Sequence, residues 1–141
     1  MKRSLIILAL TAGLVAGSAA WAQDAASLKL NVETGAAEGT VMVALYNSEA
    51  TYESGAPVRV ARIDIAKGEK SAIFEGLSSG DYGIKAFHDV NNNDKMDTNP
   101  FGMPIEPYAF SNNAIGNMGP ARWDRAHFTV EGATEHSLSL R

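Results

Sequence analysis

The chain has 141 residues, no cysteine, about a fifth of its residues charged and a formal net charge of −4. The absence of cysteine excludes a disulfide framework and a cysteine-linked lipid anchor. The acidic balance, with no run of clustered Lys and Arg, speaks against nucleic acid and anionic lipid as partners.

The first residues, Met1-Lys2-Arg3, are basic, and an apolar stretch runs from Leu5 to about Ala16. Ala20-Trp21-Ala22 then places small residues at positions −3 and −1 of a cleavage site. This is the pattern of a secretory signal peptide, residues 1–22, leaving residues 23–141 as a single domain that is periplasmic or secreted. A membrane anchor would need roughly 20 consecutive apolar residues, more than this run supplies. Cleavage leaves ten basic against sixteen acidic residues and nothing that inserts into a membrane.

Along the mature chain, Leu28, Leu30 and Val32 alternate with Lys29, Asn31 and Glu33, the period of a half-buried strand. Gly35 and Gly39 bracket a turn. Thr40 to Tyr46 is apolar on both faces, which predicts a central strand covered on both sides. Asn47 to Pro57 reads as a polar turn region. Val58 to Ala66 is strand-like, with a phase slip between Val60 and Ile63 that predicts a bulge. Lys67-Gly68-Glu69 reads as a hairpin turn into Ser71–Glu75. After Gly80, Tyr82, Ile84, Ala86 and His88 share one strand face, and Gly83, Lys85, Phe87 and Asp89 share the other. Ala126, Phe128 and Val130 alternate again, and Leu138 and Leu140 close the chain. No stretch after residue 22 carries a helical period. About seven short strands with Gly-rich turns predict an all-β fold, a single antiparallel β-sandwich with one long ordered Asn/Pro-rich loop.

That loop, His88 to Pro120, holds seven of the nine asparagines and four of the five prolines, so it is compositionally distinct from the strands around it. A loop of this length in a compact domain points to function or disorder. Phe101, Met103, Ile105, Tyr108, Phe110 and Ile115 make it too apolar for a solvated linker. Its start, Asp89-x-Asn91-x-Asn93-Asp94-Lys95-x-Asp97, places side-chain oxygens at positions 1, 3, 5 and 9, with the Lys95 carbonyl at position 7. Calcium takes six to eight oxygen ligands, and such a spacing supplies several from one side. Position 6, ordinarily Gly, is Asp94, and position 12, ordinarily Glu, is Pro100. Glu106 would supply a missing carboxylate if it folds back, a placement that sequence alone does not decide. An Asx-rich turn bonding its own backbone is the alternative use of the same residues.

His88, Phe101, Glu106, Tyr108, Phe110 and Asn112 are the candidate ligand-binding residues. For the aromatic members the commoner use is a small core belonging to the loop itself. A lone His such as His88 is more often a core residue with one satisfied nitrogen than a catalytic base. Paired with Asp89 or Glu106 it would form an acid–base pair, the one enzymatic alternative. Ser111 lies in no nucleophile elbow, and no carboxylate spacing marks a hydrolase.

Gly80-Asp81-Tyr82-Gly83-Ile84, Phe87-His88-Asp89-Val90-Asn91-Asn92-Asn93 and Lys95-Met96-Asp97-Thr98-Asn99 form a run that resembles a bacterial family of secreted domains of unknown function, DUF2141. Gly102-Met103-Pro104-Ile105-Glu106, Tyr108-Ala109-Phe110-Ser111-Asn112-Asn113 and Gly119-Pro120 extend it over nearly the whole mature chain. The family pattern has Gly in place of Asp94 and of Ala109. The resemblance implies a sandwich of the transthyretin-like, carboxypeptidase-regulatory type, and export, without implying an activity. Residues and resemblance together predict a non-catalytic exported binding module, its loop 88–120 stiffened by calcium. Its expected partner is a small molecule, a glycan or an envelope protein.

Overall fold

The computed structural model describes residues 25–141, and the predicted signal peptide lies outside them. Eight strands build two facing sheets: β1 (Ala26–Glu33), β2 (Thr40–Tyr46), β3 (Arg59–Asp64), β4 (Ser71–Leu77), β5 (Gly80–Asp89), β6 (Tyr108–Phe110), β7 (Phe128–Val130) and β8 (Ala133–Ser139). The smaller sheet has the order β4-β1-β8. The larger runs β3-β2-β5-β6, with β7 also paired to β5. The all-β sandwich expected from the sequence is therefore present. Its pairings are antiparallel except for β1 with β8, which run parallel from Ser27/Ala133 to Glu33/Ser139. Parallel neighbours need a long crossover, and here nearly the whole chain serves as one.

The core lies between the sheets. Alternate residues of β1 (Ala26, Leu28, Leu30, Val32), β2 (Val41, Val43, Leu45) and β5 (Tyr82, Ile84, Ala86) point into it, joined by Ile63, Phe74, Val130 and Leu138. Leu28, Leu30, Leu45, Ile63, Ile84 and Leu138 are wholly buried. Each contributes about 1.5–3 kcal/mol by leaving water.

Four expectations need correction. The segment after Tyr46 is not only turns, since Glu49–Ser54 forms a short helix, α1, and Trp123–Ala126 a second, α2. Helices of six and four residues are too short to display a 3.6-residue period. The caps of α1 were the legible signal: the Ser48 side chain accepts the Thr51 N–H at 3.2 Å, and Gly55 takes φ +73°. Ala126 accordingly ends α2 instead of opening β7. The phase slip in β3 is not a bulge, because β3 pairs with β2 without interruption from Arg59 to Asp64 and Val60 simply faces outward. The irregular pairing lies between β1 and β4, where Gly76 takes φ +69°. Lys67-Gly68-Glu69 is a turn, but β3 and β4 belong to different sheets, so it forms a corner of the sandwich and not a hairpin.

The fourth correction concerns β2. Its inner face is sealed, but its outer face is buried only at its two ends, Thr40 and Tyr46. At the Tyr46 end Ala44 and Tyr46 pack into a second cluster with Tyr52, Phe110, Ala121, Trp123 and Ala126. Met42 stays half-buried outside both clusters.

The β1–β2 turn is pressed against the end of β5. Gly39 has φ +78°, and a Cβ there would lie 2.4 Å from the Asp89 carbonyl oxygen. Gly39→Ala should therefore destabilise the fold by about 2 kcal/mol or more through strain and backbone overlap. Gly35→Ala, with no atom near the added Cβ, should stay within about 0.5 kcal/mol of the parent. Urea unfolding of the two variants checks the contrast.

Candidate functional site

The long loop leaves β5 at Asp89, whose side chain is buried. One Asp89 carboxylate oxygen accepts the Asn93 N–H at 3.0 Å and the other the Asp94 N–H at 2.8 Å. The Asn91 side-chain oxygen accepts the same Asn93 N–H at 3.2 Å, which places it beside the Asp89 carboxylate. The Asn93 side-chain oxygen accepts the Lys95 N–H at 3.1 Å. The side-chain amides of Asn91 and Asn93 donate to Asp97 at 2.7 and 2.9 Å. These N–H groups, Asn93 first, hold the Asp97 carboxyl below its usual range. Asp89, Asn91, Asn93 and Asp97 are thus drawn together by a chain of short contacts, with the backbone of Lys95 tied in beside them.

Asp94 takes φ +64°, the left-handed conformation that explains a preference for Gly at this position. Its carboxylate is held 2.7 Å from the Arg62 guanidinium on β3. The Thr40 hydroxyl donates to the Asn92 side chain at 2.9 Å. Thr40 and Arg62 were not among the sequence candidates. No spacing could reveal them, because β2 and β3 reach the loop only through the sheet.

Glu106 does fold back. It is buried, and its two oxygens accept the N–H groups of Val90 at 3.1 Å and Asp97 at 3.0 Å, closing the Asp/Asn turn at both ends. Between those ends and Glu106 the chain makes a tight hairpin. Asn99 N–H donates to the Met103 carbonyl, and the Asn99 side chain accepts the N–H groups of Phe101 and Met103. The hairpin turns its apolar residues outward, with Phe101 89%, Met103 62% and Ile105 66% exposed. Of the aromatics expected to pack a small core of the loop's own, Phe101 does not, whereas Phe110 and Trp123 pack with Tyr46 and Tyr52. In the hairpin, hydrogen bonds from Asp, Asn and Glu side chains do the ordering instead.

The remaining candidates separate. His88 is wholly buried on the core face of β5, with Nε2 2.6 Å from the Glu38 carbonyl oxygen. That partner makes Nε2 the donor, and buried Nδ1 has no partner. Asp89 projects from the opposite face of β5, and both Glu106 oxygens are engaged by backbone. Among the described residues no hydrogen bond assembles the acid–base pair. Phe110 belongs to the α1/α2 cluster. Asn112 is a tie, its amide donating to the carbonyls of Arg125 at 3.0 Å and His127 at 2.8 Å. Ser111, wholly buried, accepts the Ile84 N–H at 2.8 Å and donates to the Ala126 carbonyl.

Tyr108 is 42% exposed. By register it continues an outer-face row Arg62–Met42–Phe87–Tyr108 across β3, β2, β5 and β6. Next along the strands comes Thr40 with Asp64 and Asp89, so this mostly apolar row borders the Asp/Asn turn. Met42 and Phe87 are the surface residues that sequence reasoning missed. Their strands read as central, and only the assembled sheet shows that this part of the face is left half-buried. A separate depression of about 320 Å³ lies beyond β6, lined by Tyr108, Phe110, Asn113, Ile115, Ser139 and Arg141 among others.

Glu106→Ala strips acceptors from two backbone N–H groups. The expected loss is about 3 kcal/mol, since bonds to charged acceptors are worth about 1.5–3 kcal/mol each. Hydrogen exchange should show the Val90 and Asp97 amides losing protection while the strand amides of β1 and β2 keep theirs.

No curated protein and no solved structure matches this chain. A family described as "Uncharacterized protein conserved in bacteria (DUF2141)" matches residues 32–137. The matched span runs from the end of β1 into β8 and includes the Asp/Asn turn, Glu106 and the hairpin between them. The chain belongs to the DUF2141 family.

Proposed function

We propose that the chain is an exported, non-catalytic binding module, in which calcium held by the Asp89–Asp97 turn stiffens the 98–105 hairpin as a recognition surface. The observation that carries this reading is the hairpin itself. It is ordered by polar contacts and spends none of Phe101, Met103 or Ile105 on internal packing. Apolar side chains held outward on a rigid support are what a docking surface requires, since little ordering entropy remains to be lost on binding. Export is supported by the pattern of residues 1–22. Among the described residues no helix is long and apolar enough to cross a membrane. The partner that suits such a surface is an apolar small molecule or an apolar segment of an envelope protein, in preference to a glycan.

The residues fit calcium by chemistry. Asp89, Asn91, Asn93 and Asp97 offer side-chain oxygens and Lys95 a carbonyl, a hard all-oxygen set with no imidazole in it. Among the described residues no group of three or more His, Cys, Asp or Glu side chains is gathered as a metal site. The two amides are therefore needed to complete any such set. A bound cation would supply to Asp97 the positive charge that the side-chain amides of Asn91 and Asn93 now partly provide.

Melting the mature protein in EDTA and across a calcium titration, with magnesium as control, tests the cation. A calcium-specific rise is expected, about 2.7 kcal/mol at a hundredfold excess over Kd, and lost in the Asp89→Ala/Asp97→Ala double variant. An unchanged melting temperature would reduce the turn to hydrogen bonds alone. For the surface, Phe101→Ser/Met103→Ser should keep stability within about 0.5 kcal/mol yet lose cross-linking to envelope components. Undiminished cross-linking would move recognition away from the hairpin.

A further inference from the structure

We infer that His136 and the backbone of Asn112 form an acid-sensitive latch, which at neutral pH holds the Ser111–Asn113 turn against β8 and at lower pH releases it. The latch is separate from the Asp89–Asp97 turn. His136 lies on β8, stacked on Phe128 with ring centroids 4.1 Å apart and planes 16° apart. Its Nε2 accepts the Asn112 N–H at 3.1 Å. Only a ring with an unprotonated Nε2 can accept that bond. An imidazolium carries N–H on both nitrogens and no acceptor, so protonation sets two donors against each other, and turning the ring over does not help.

The turn that this bond secures carries some backbone strain. Asn112 and Asn113 both take left-handed backbone angles, φ +60° and +49°, which Asn tolerates better than most L residues but still at a cost. The turn's ties are His136 on the Asn112 N–H, the Asn112 amide on the carbonyls of Arg125 and His127, the Asn113 side chain on the Ser139 N–H at 3.0 Å, and the buried Ser111, whose hydroxyl is bonded to Ile84 and Ala126 and whose carbonyl accepts the Ala114 N–H at 3.2 Å. Loss of the first weakens the hold of β8 on the turn. Asn113 of the turn, with Ala114 and Ile115 directly after it, forms a wall of the 320 Å³ depression beside Tyr108.

The groups around His136 leave its titration to burial and to this one bond. β1 presents Leu28, Leu30 and Val32 to the interior, β7 presents Phe128, and the turn is Ser111, Asn112 and Asn113. None of these is charged. Tyr108 of β6 is titratable but sits on the outer face. Arg125 and His127 reach the latch through their backbone carbonyls. On β8 itself Glu135 is turned away, bonded to Asn31 and paired with Lys29. Burial lowers the His136 pKa below its ordinary 6.5. The folded state thus binds the proton less readily than the unfolded chain. The stability contributed by the latch is complete above about 6.5, falls as pH drops through that value, and levels off below the depressed folded value.

NMR titration of the folded protein between pH 8 and pH 5 tests the latch. The His136 ring should titrate with a midpoint below 6.5. The Asn112 amide and the Ile115 methyl should shift with the same midpoint, and the exchange protection of Asn112 should fall across it. In His136→Gln, whose side-chain oxygen can accept the bond at every pH, the Asn112 amide should stay flat over the same range. A midpoint at or above 6.5, or a titrating His136 beside an unmoved Asn112 amide, would overturn the latch in the parent protein alone, whether or not the variant folds.

Discussion

Two buried carboxylates, Asp89 and Glu106, hold the long loop to the sandwich. A carboxylate taken out of water is costly unless its oxygens are well bonded. Here each oxygen accepts a backbone N–H: Asn93 and Asp94 for Asp89, Val90 and Asp97 for Glu106. The loop cannot leave without exposing four donors and two charges together, so it behaves as a fixed part of the domain. Gly39 makes this possible from the other side, since only a residue without Cβ lets the β1–β2 turn lie against the Asp89 carbonyl.

Ordering a loop by polar contacts has a consequence for its apolar residues. In a loop stabilised by its own small core, Phe101, Met103 and Ile105 would be consumed in packing. Here Asn99, Asp89 and Glu106 supply the order, and those side chains remain in solvent. The same division appears on the larger sheet. Its outer face is covered at the Tyr46 end by α1 and α2, while Met42, Phe87 and Tyr108 are left bordering the Asp/Asn turn. The cover at the Tyr46 end is itself closely packed. Tyr46, Tyr52 and Trp123 meet edge to face, and the Lys85 ammonium donates to the Tyr52 carbonyl at 2.6 Å while lying over the Tyr52 ring. Burial there lowers the Lys85 pKa.

His88 and His136 illustrate how context sorts one residue type. Both sit on strands with one nitrogen bonded to backbone. His88 donates to a carbonyl inside the core and serves the β1–β2 turn. His136 accepts from an N–H at the edge of the smaller sheet, where a proton from solvent competes directly with the bond it makes. The direction of one hydrogen bond separates the two: His88 gives a proton to its backbone partner, and His136 takes one from its own.

Much of this was legible in the residues alone. Alternation in Leu28–Val32 and Tyr82–His88 marks strands because side chains on a pleated strand point to opposite faces every second residue. The positions of Asp89, Asn91, Asn93 and Asp97 mark a tight polar turn because short oxygen-bearing side chains reach their own backbone. The left-handed site at Asp94 follows from the same reasoning. What the sequence could not decide was every relation between distant segments: the parallel pairing of β1 with β8, the placing of β3 and β4 in different sheets, and the approach of Gly39 to Asp89. It could not place Glu106 on the Val90 and Asp97 amides, nor show Met42 and Phe87 half-buried outside the clusters. Periodicity reports which face a residue occupies. Only the assembled fold determines what lies against that face, because packing depends on residues far away in the chain.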